Sequence, residues 1–245
     1  ITAQEASIIE DQHKRVNVSD LIKRLIEQVA FEARENELVD KKSGVSARLT
    51  IAAYENAVSA AERRAIMNDE KTTQVWLSDL TGIIPSITGK IELVYEGEQE
   101  GPYQVAYNLL ERAIRTQFVQ YFPNPDSLKK KKGKEEVDNP YKSISRWFDA
   151  GNNLNVFLDT TDEDKVQLLY QVDGLHALVK KYFNAASEKE NALLMEFVLH
   201  GLASYSLISK KILEGKIEFK DLMGSMLNMD SQHYGEDDFN EEDFN

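Results

Sequence analysis

Cysteine is absent from all 245 residues. This excludes disulfide frameworks, thiolate metal sites and cysteine nucleophiles. Proline and glycine are scarce, with 5 and 12 residues respectively. Because folds built from many short strands and tight turns use more of both, the composition favours a mainly α-helical chain. No run of about 18 apolar residues occurs, so we expect no membrane partner and a cytoplasmic location.

Acidic side chains outnumber basic ones by 42 to 29, which gives a net charge of −13. A polyanion is repelled by such a surface, so we expect no nucleic-acid partner. The run Lys129–Lys132 could bind nucleic acid or an acidic membrane surface. Because Glu135 and Glu136 follow it directly, a solvated linker is the favoured interpretation.

Known catalytic and metal-binding patterns are also missing. The sequence contains no Gly-x-Ser-x-Gly and no Gly-x-x-x-x-Gly-Lys-Ser/Thr loop. The four histidines (His13, His176, His200 and His233) are scattered without the spacing of a metal pair, and His200 is best explained as a core residue. A free-standing hydrolase is therefore disfavoured.

Hydrophobic periodicity predicts a series of helices and one extended segment. The helices are expected near 19–35, 46–66, 75–84, 103–121, 140–150, 162–172, 174–184 and 191–213. Ser19, Thr161 and Ser187 are the predicted N-caps, and Gly215 is the predicted stop of the last helix. The alternating, glycine-bounded stretch 89–97 predicts a strand.

One segment carries a chemical signal. Arg48 lies in the first turn of the helix predicted from Ser46, after the polar stretch Asp40–Gly44. The free N–H groups and the positive dipole end at a helix start attract anions, and a guanidinium there could bind a terminal phosphate. The alternative is that Arg48 is an ordinary surface side chain.

The stretch Ser43-Gly44-Val45-Ser46-Ala47-Arg48, between the amphipathic helix 19–35 and the helix 46–66, resembles the sensor-2 segment of AAA+ ATPases. It is most similar to the lid subdomain of the magnesium-chelatase and MoxR-like group, and residues 89–121 resemble the region after that lid. The likeness covers roughly residues 1–122.

The resemblance implies an AAA+ helical lid followed by a C-terminal helical domain. Arg48 would be the sensor-2 arginine and Ser46 a further nucleotide contact. ATP and Mg²⁺ would be held mostly by an upstream AAA+ core in the same chain, within a homo-oligomeric ring. Related ATPases act with partners that carry von Willebrand factor A domains. Since the chain begins at Ile1 without methionine, we expect a fragment. Because none of the Walker residues of an AAA+ core is present, this fragment is not expected to hydrolyse ATP alone.

The expected division is a lid at 1–72, a connecting region at 73–127 and a charged linker at 128–139. A helical bundle at 140–230 and an acidic tail at 231–245 complete it. The expected function is ATP-driven remodelling of a protein partner. The alternative is a non-enzymatic helical adaptor that binds proteins through helix 191–213 or the tail, although a disordered solubilising end explains the tail more simply.

Overall fold

Helices dominate the computed structural model, which describes residues 2–128, 139–184 and 187–222. The helices before the lysine run are α1 (Thr2–Glu5), α2 (Glu10–Arg15), α3 (Asp20–Glu35), α4 (Arg48–Met67), α5 (Ile84–Thr88), α6 (Tyr95–Glu100) and α7 (Pro102–Tyr121). The helices after it are α8 (Lys142–Asp149), α9 (Asp162–Tyr170), α10 (Leu175–Tyr182) and α11 (Glu188–Ser204). Short 3₁₀ segments occupy Ser78–Ile83 and Pro125–Leu128. Within these ranges no helix is both long and apolar enough to cross a membrane.

Five short strands form two small sheets in the described ranges. The strands are β1 (Val16–Asn17), β2 (Thr73–Gln74), β3 (Leu154–Phe157), β4 (Ser209–Leu213) and β5 (Lys216–Lys220). Strands β1 and β2 run parallel, whereas β5 lies between β3 and β4 and is antiparallel to both. The mainly α fold is therefore confirmed, with more strand than the sequence predicted.

Helix α3 follows the sequence prediction closely. Ser19 caps it, because its hydroxyl accepts a hydrogen bond from the backbone N–H of Ile22 at 3.3 Å. The predicted apolar stripe is buried in full: Leu21, Ile22, Leu25, Ile26, Val29, Ala30 and Ala33. These residues pack α3 against α4 and α7. The caps Thr161 and Ser187 are confirmed in the same way.

The centre of the core lies where α7 crosses α11. Phe118 of α7 contacts the rings of Phe122, Phe197, Tyr141 and Tyr205 at centroid distances of 5.4–6.0 Å. One continuous cluster of buried apolar side chains contains residues from both sides of the lysine run. The two parts of the chain therefore share a core.

Of two predictions between 75 and 97, the helix is right only in part and the strand is wrong. The predicted helix 75–84 is a 3₁₀ segment that continues into α5, with Pro85 in the first turn, where its missing N–H is not needed. The predicted strand at 89–97 forms only an isolated bridge between Leu93 and Val39. From Tyr95 onward the chain is helical, and the Tyr95 side chain is 74% exposed.

The prediction of a helix over 191–213 is also wrong in its second half. Helix α11 ends at Ser204, and β4 and β5 follow as a hairpin. Gly215 does not stop a helix but lies in the hairpin turn, where its φ of +73° suits glycine. The charged linker falls mostly outside the described residues, and the acidic tail entirely outside them. The division into domains stays a prediction.

We predict that Gly201→Ala destabilises the fold. A methyl group built at Gly201 of α11 lies 2.0 Å from a Phe118 ring carbon. Overpacking of this kind costs about 1–3 kcal/mol, more than the roughly 1 kcal/mol that alanine gains in helix propensity. Urea denaturation of the variant measures this directly. In a Phe118→Leu background the same change is expected to cost less, because the methyl group then has room. Equal or higher stability of Gly201→Ala contradicts the packing described here.

Candidate functional site

Arg48 is the first residue of α4, and its side chain is exposed. Its backbone N–H donates a hydrogen bond to the Ser46 hydroxyl at 3.2 Å, so the two predicted site residues lie side by side. No hydrogen bond or ion pair from another described residue reaches the Arg48 guanidinium. The group is therefore accessible to a ligand, whereas the Ser46 hydroxyl already acts as a local cap.

The loop before Arg48 is held by side-chain hydrogen bonds. Asp40 accepts bonds from the backbone N–H of Lys42 at 2.8 Å and from the Ser43 hydroxyl at 3.2 Å. Arg34, in the last turn of α3, donates to the carbonyl of Val45 at 3.4 Å. These bonds connect the loop to α3 and position the start of α4.

The opposite end of α4 carries Arg64, which is buried with 3% of its surface exposed. Its guanidinium binds both carboxylate oxygens of Asp79 at 3.1 and 3.2 Å, a forked geometry specific to arginine. It also donates to Asp162 at 2.8 Å, although that residue is 98 positions away in sequence. With Glu70 at 3.6 Å, three carboxylates therefore compensate one buried cation.

Asp162, the first residue of α9, is the most heavily used acceptor in this cluster. One of its oxygens accepts from Arg64, from the Thr73 hydroxyl and from the Trp76 indole N–H, each at 2.8 Å. The other accepts from Lys189 of α11 at 2.8 Å. Burial alone would raise the pKa of Asp162. The bonds from Lys189, Trp76 and Thr73 and the charge of Arg64 outweigh burial and hold that pKa below its ordinary value.

Glu196 and Lys165 add a second buried pair of charges beside the first. Glu196 of α11 accepts from the backbone N–H groups of Leu77 and Ser78 at 2.9 and 3.1 Å. Lys165 of α9 donates to the Ser78 hydroxyl. Burial raises the pKa of Glu196 and lowers that of Lys165. The segment that contains Leu77 and Ser78 is thus fixed to both α9 and α11.

We call the following set the buried charge cluster: the buried residues Arg64, Asp79, Asp162, Lys165 and Glu196, together with Lys189, whose side chain is 46% exposed. It joins the C-terminal end of α4 to helices from beyond the lysine run. The sequence analysis does not predict this cluster, because its residues are far apart in sequence. One signal was available, since Glu196 interrupts the apolar run Ala192–Val198 of α11.

A separate buried group surrounds His200, which the sequence analysis had interpreted as a core histidine. His200 is 4% exposed, and its Nδ1 lies 3.2 Å from the Lys210 amine of β4. Lys210 forms an ion pair with Glu111 of α7. Burial, followed by the charges of Lys210 and Lys165, lowers the pKa of His200 well below its ordinary value.

In the described part of the chain, no group of three or more acidic or histidine side chains could hold a metal ion.

We predict that Arg64→Leu lowers the free energy of unfolding by about 3–5 kcal/mol, because it leaves buried carboxylates without a counterion. The neighbouring Arg63→Leu is the matched control. Arg63 is exposed, so its loss is expected to change stability by no more than about 0.5 kcal/mol. If Arg64→Leu cannot be purified folded, Arg64→Lys keeps the charge without the fork and should fall between the two. Equal stability of the Arg64 and Arg63 variants contradicts the role of the cluster.

We predict that His200 makes the fold sensitive to mild acid. The folded chain keeps this imidazole neutral, whereas the unfolded chain protonates it below about pH 6.5. The unfolded state then binds more protons, so stability falls as the pH falls from 7 to 5.5, by up to about 1.4 kcal/mol per pH unit. Denaturation midpoints across this range should vary less in His200→Gln. In His13→Gln the denaturation midpoint should change with pH as much as in wild type, since His13 is exposed. An unchanged slope in His200→Gln contradicts this assignment.

Comparisons with protein-family models, with curated proteins and with solved structures gave no match.

Proposed function

We propose that this chain is the lid and C-terminal helical part of an AAA+ ATPase of the magnesium-chelatase and MoxR-like group. ATP hydrolysis by the whole protein would drive remodelling of a protein partner. The proposal rests on the resemblance of Ser43–Arg48 to a sensor-2 segment. The single structural observation that supports it is the exposed guanidinium of Arg48 at the start of a 20-residue helix, which no other described residue engages.

The chemistry of Arg48 suits the terminal phosphate of ATP. A guanidinium is permanently charged and offers several N–H donors in one plane, and the adjacent helix start adds partial positive charge. In this role Arg48 binds the γ-phosphate and stabilises the charge on it as the bond to the leaving group breaks. ATP and Mg²⁺ are otherwise held by the nucleotide-binding core, because the 245 residues contain no triphosphate-binding loop.

The buried charge cluster supports a mechanical role for α4. Arg48 lies at one end of this helix, and Arg64, three residues before the other end, is bonded to Asp162 of α9. Because cores are densely packed, a displacement of α4 moves the attached helices with it. Loss of the γ-phosphate at Arg48 would therefore shift residues on both sides of the lysine run together. The proposal has three further parts. The whole protein remodels a protein partner, assembles into a ring of identical subunits and acts with a protein that carries a von Willebrand factor A domain.

The adaptor alternative loses one of its two proposed surfaces. Most of α11 is buried, including every residue from Ala192 to Leu202. Residues 205–213 are not helical, so the predicted docking helix 191–213 is not available to a partner. The acidic tail, its other surface, lies outside the described residues.

We predict that Arg48→Ala in the complete gene product lowers the ATPase turnover at least about tenfold, since arginines on a transferring phosphate contribute large factors. The fold should be unaffected, because the side chain is exposed. The measurement is steady-state phosphate release, with circular dichroism as the check on folding.

Arg63→Ala is the matched control, because it removes the same charge from an exposed site near the other end of α4. This variant should retain wild-type turnover. Wild-type turnover in Arg48→Ala excludes Arg48 from the site. A gene with no triphosphate-binding loop ahead of Ile1 excludes the motor altogether.

A further inference from the structure

A cavity of about 590 Å³ lies beside the β1–β2 pair. Its wall includes basic side chains from three elements: His13, Lys14 and Arg15 of α2, Lys23 of α3 and Lys189 of α11. The other described lining residues are neutral, and none of them carries a carboxylate. Because the chain carries 42 acidic residues against 29 basic ones, a wall without acids is unusual for its surface. We call it the basic cavity.

A second cavity, formed by described residues, differs in charge. A cavity of about 520 Å³ beside α7 is lined by both signs, including Glu35, Glu37, Arg112 and Arg115. The two arginines are already paired there, Arg112 with Glu32 at 3.3 Å and Arg115 with Asp126 at 2.8 Å. The basic cavity differs because the described residues that line it include several cations and no carboxylate.

Among the described residues that line this cavity, Arg15 is the cation for which the described part of the chain provides no partner. It ends α2, and the chain continues directly into β1, which is held by its pairing with β2 and by a 2.9 Å bond from the Val75 N–H to the Asn17 carbonyl. The Arg15 side chain is half-buried, yet its guanidinium has no hydrogen bond or ion pair with any residue in the described ranges. A partly desolvated cation favours an anionic ligand.

Each lysine of the wall forms an ion pair. In two of these pairs the acidic partner competes only weakly with an anionic ligand. Lys14 pairs with Glu10 at 2.7 Å and Lys23 with Asp20 at 3.1 Å. Both pairs are solvent-exposed, and such pairs contribute only about 0–1 kcal/mol. Their ammonium groups can therefore turn toward an anion at little cost. Lys189 is fixed more firmly by the buried Asp162.

Two long helices begin at the basic cavity and add to its positive potential. Val18 of the wall directly precedes Ser19, the cap of the 16-residue α3. Ser187 of the wall is itself the cap of the 17-residue α11. The positive ends of both helix dipoles therefore lie at the cavity.

We propose that the basic cavity binds a phosphorylated small molecule, with Arg15 as its main phosphate contact. Arg15, Lys14 and Lys23 supply the fork and point charges that suit a phosphate dianion. Asn17 and Thr72 supply amide and hydroxyl groups for the rest of the ligand. The volume lies within the range of about 300–1,000 Å³ typical of small-molecule sites.

This inference does not depend on the proposed ATPase function. The basic cavity includes Tyr54 of α4 but not Arg48. Those two residues are separated by about 9 Å along the helix axis and point to different sides of it. The proposal therefore describes a second anion site.

Isothermal titration calorimetry of the 245-residue chain with inorganic pyrophosphate tests the proposal. We expect saturable binding that Arg15→Gln weakens at least about tenfold, the effect of losing a charge-assisted hydrogen bond. Arg146→Gln, at an exposed arginine elsewhere, should bind like wild type. AMP and ribose 5-phosphate, with adenosine as the phosphate-free control, then distinguish a nucleotide from a simpler phosphate ester.

Two results would overturn the proposal. One is the absence of saturable pyrophosphate binding by the wild-type chain. The other is equal affinity in wild type, Arg15→Gln and Arg146→Gln, or equal losses in the two variants, because both patterns indicate unspecific attraction of an anion. Circular dichroism of Arg15→Gln confirms that any loss of binding does not come from unfolding.

Discussion

The forked contact between Arg64 and Asp79, extended to Asp162, is the interaction on which the described fold depends. It neutralises a cation that has 3% of its surface exposed, and it holds together segments separated by 98 residues. A buried ion pair contributes little net stability compared with apolar packing, but it is intolerant of a missing or displaced partner. The cluster therefore specifies one relative position of α4, α9 and α11. Apolar contacts alone would tolerate small shifts between these helices.

The sequence predicted what local signals encode. Helices α3 and α7 and the caps Ser19, Thr161 and Ser187 follow from apolar spacing and capping residues within a few positions of each other. The β4–β5 hairpin was missed because its lysines and isoleucines also fit helical spacing, although Ile217 and Phe219 alternate as in a strand and are both buried. The two-residue pair of β1 and β2 depends on tertiary packing and leaves no periodic signal.

The same difference between local and long-range signals determines which candidate sites the sequence could indicate. The position of Arg48 at a helix start was predictable, since a polar loop precedes it. The buried charge cluster and the basic cavity were not, because their residues come from distant parts of the sequence. The net charge of −13 gave no indication of the basic cavity, because the total charge of a chain does not show where its basic residues lie in the fold. Position in the fold, and not composition, determines the local potential.

The order of the three-stranded sheet has a consequence for how the chain folds. Strands β4 and β5 are joined by a tight turn and can pair early, but β5 then needs β3, and the contact between Asn155 and Lys216 spans 61 residues. Helices α9, α10 and α11 lie within that span and shorten the effective loop once they form. Sheet closure is thus a non-local step that follows helix formation, and such steps slow folding. During synthesis, the edge of β3 that pairs with β5 therefore stays unpaired until the chain has been extended past Lys220.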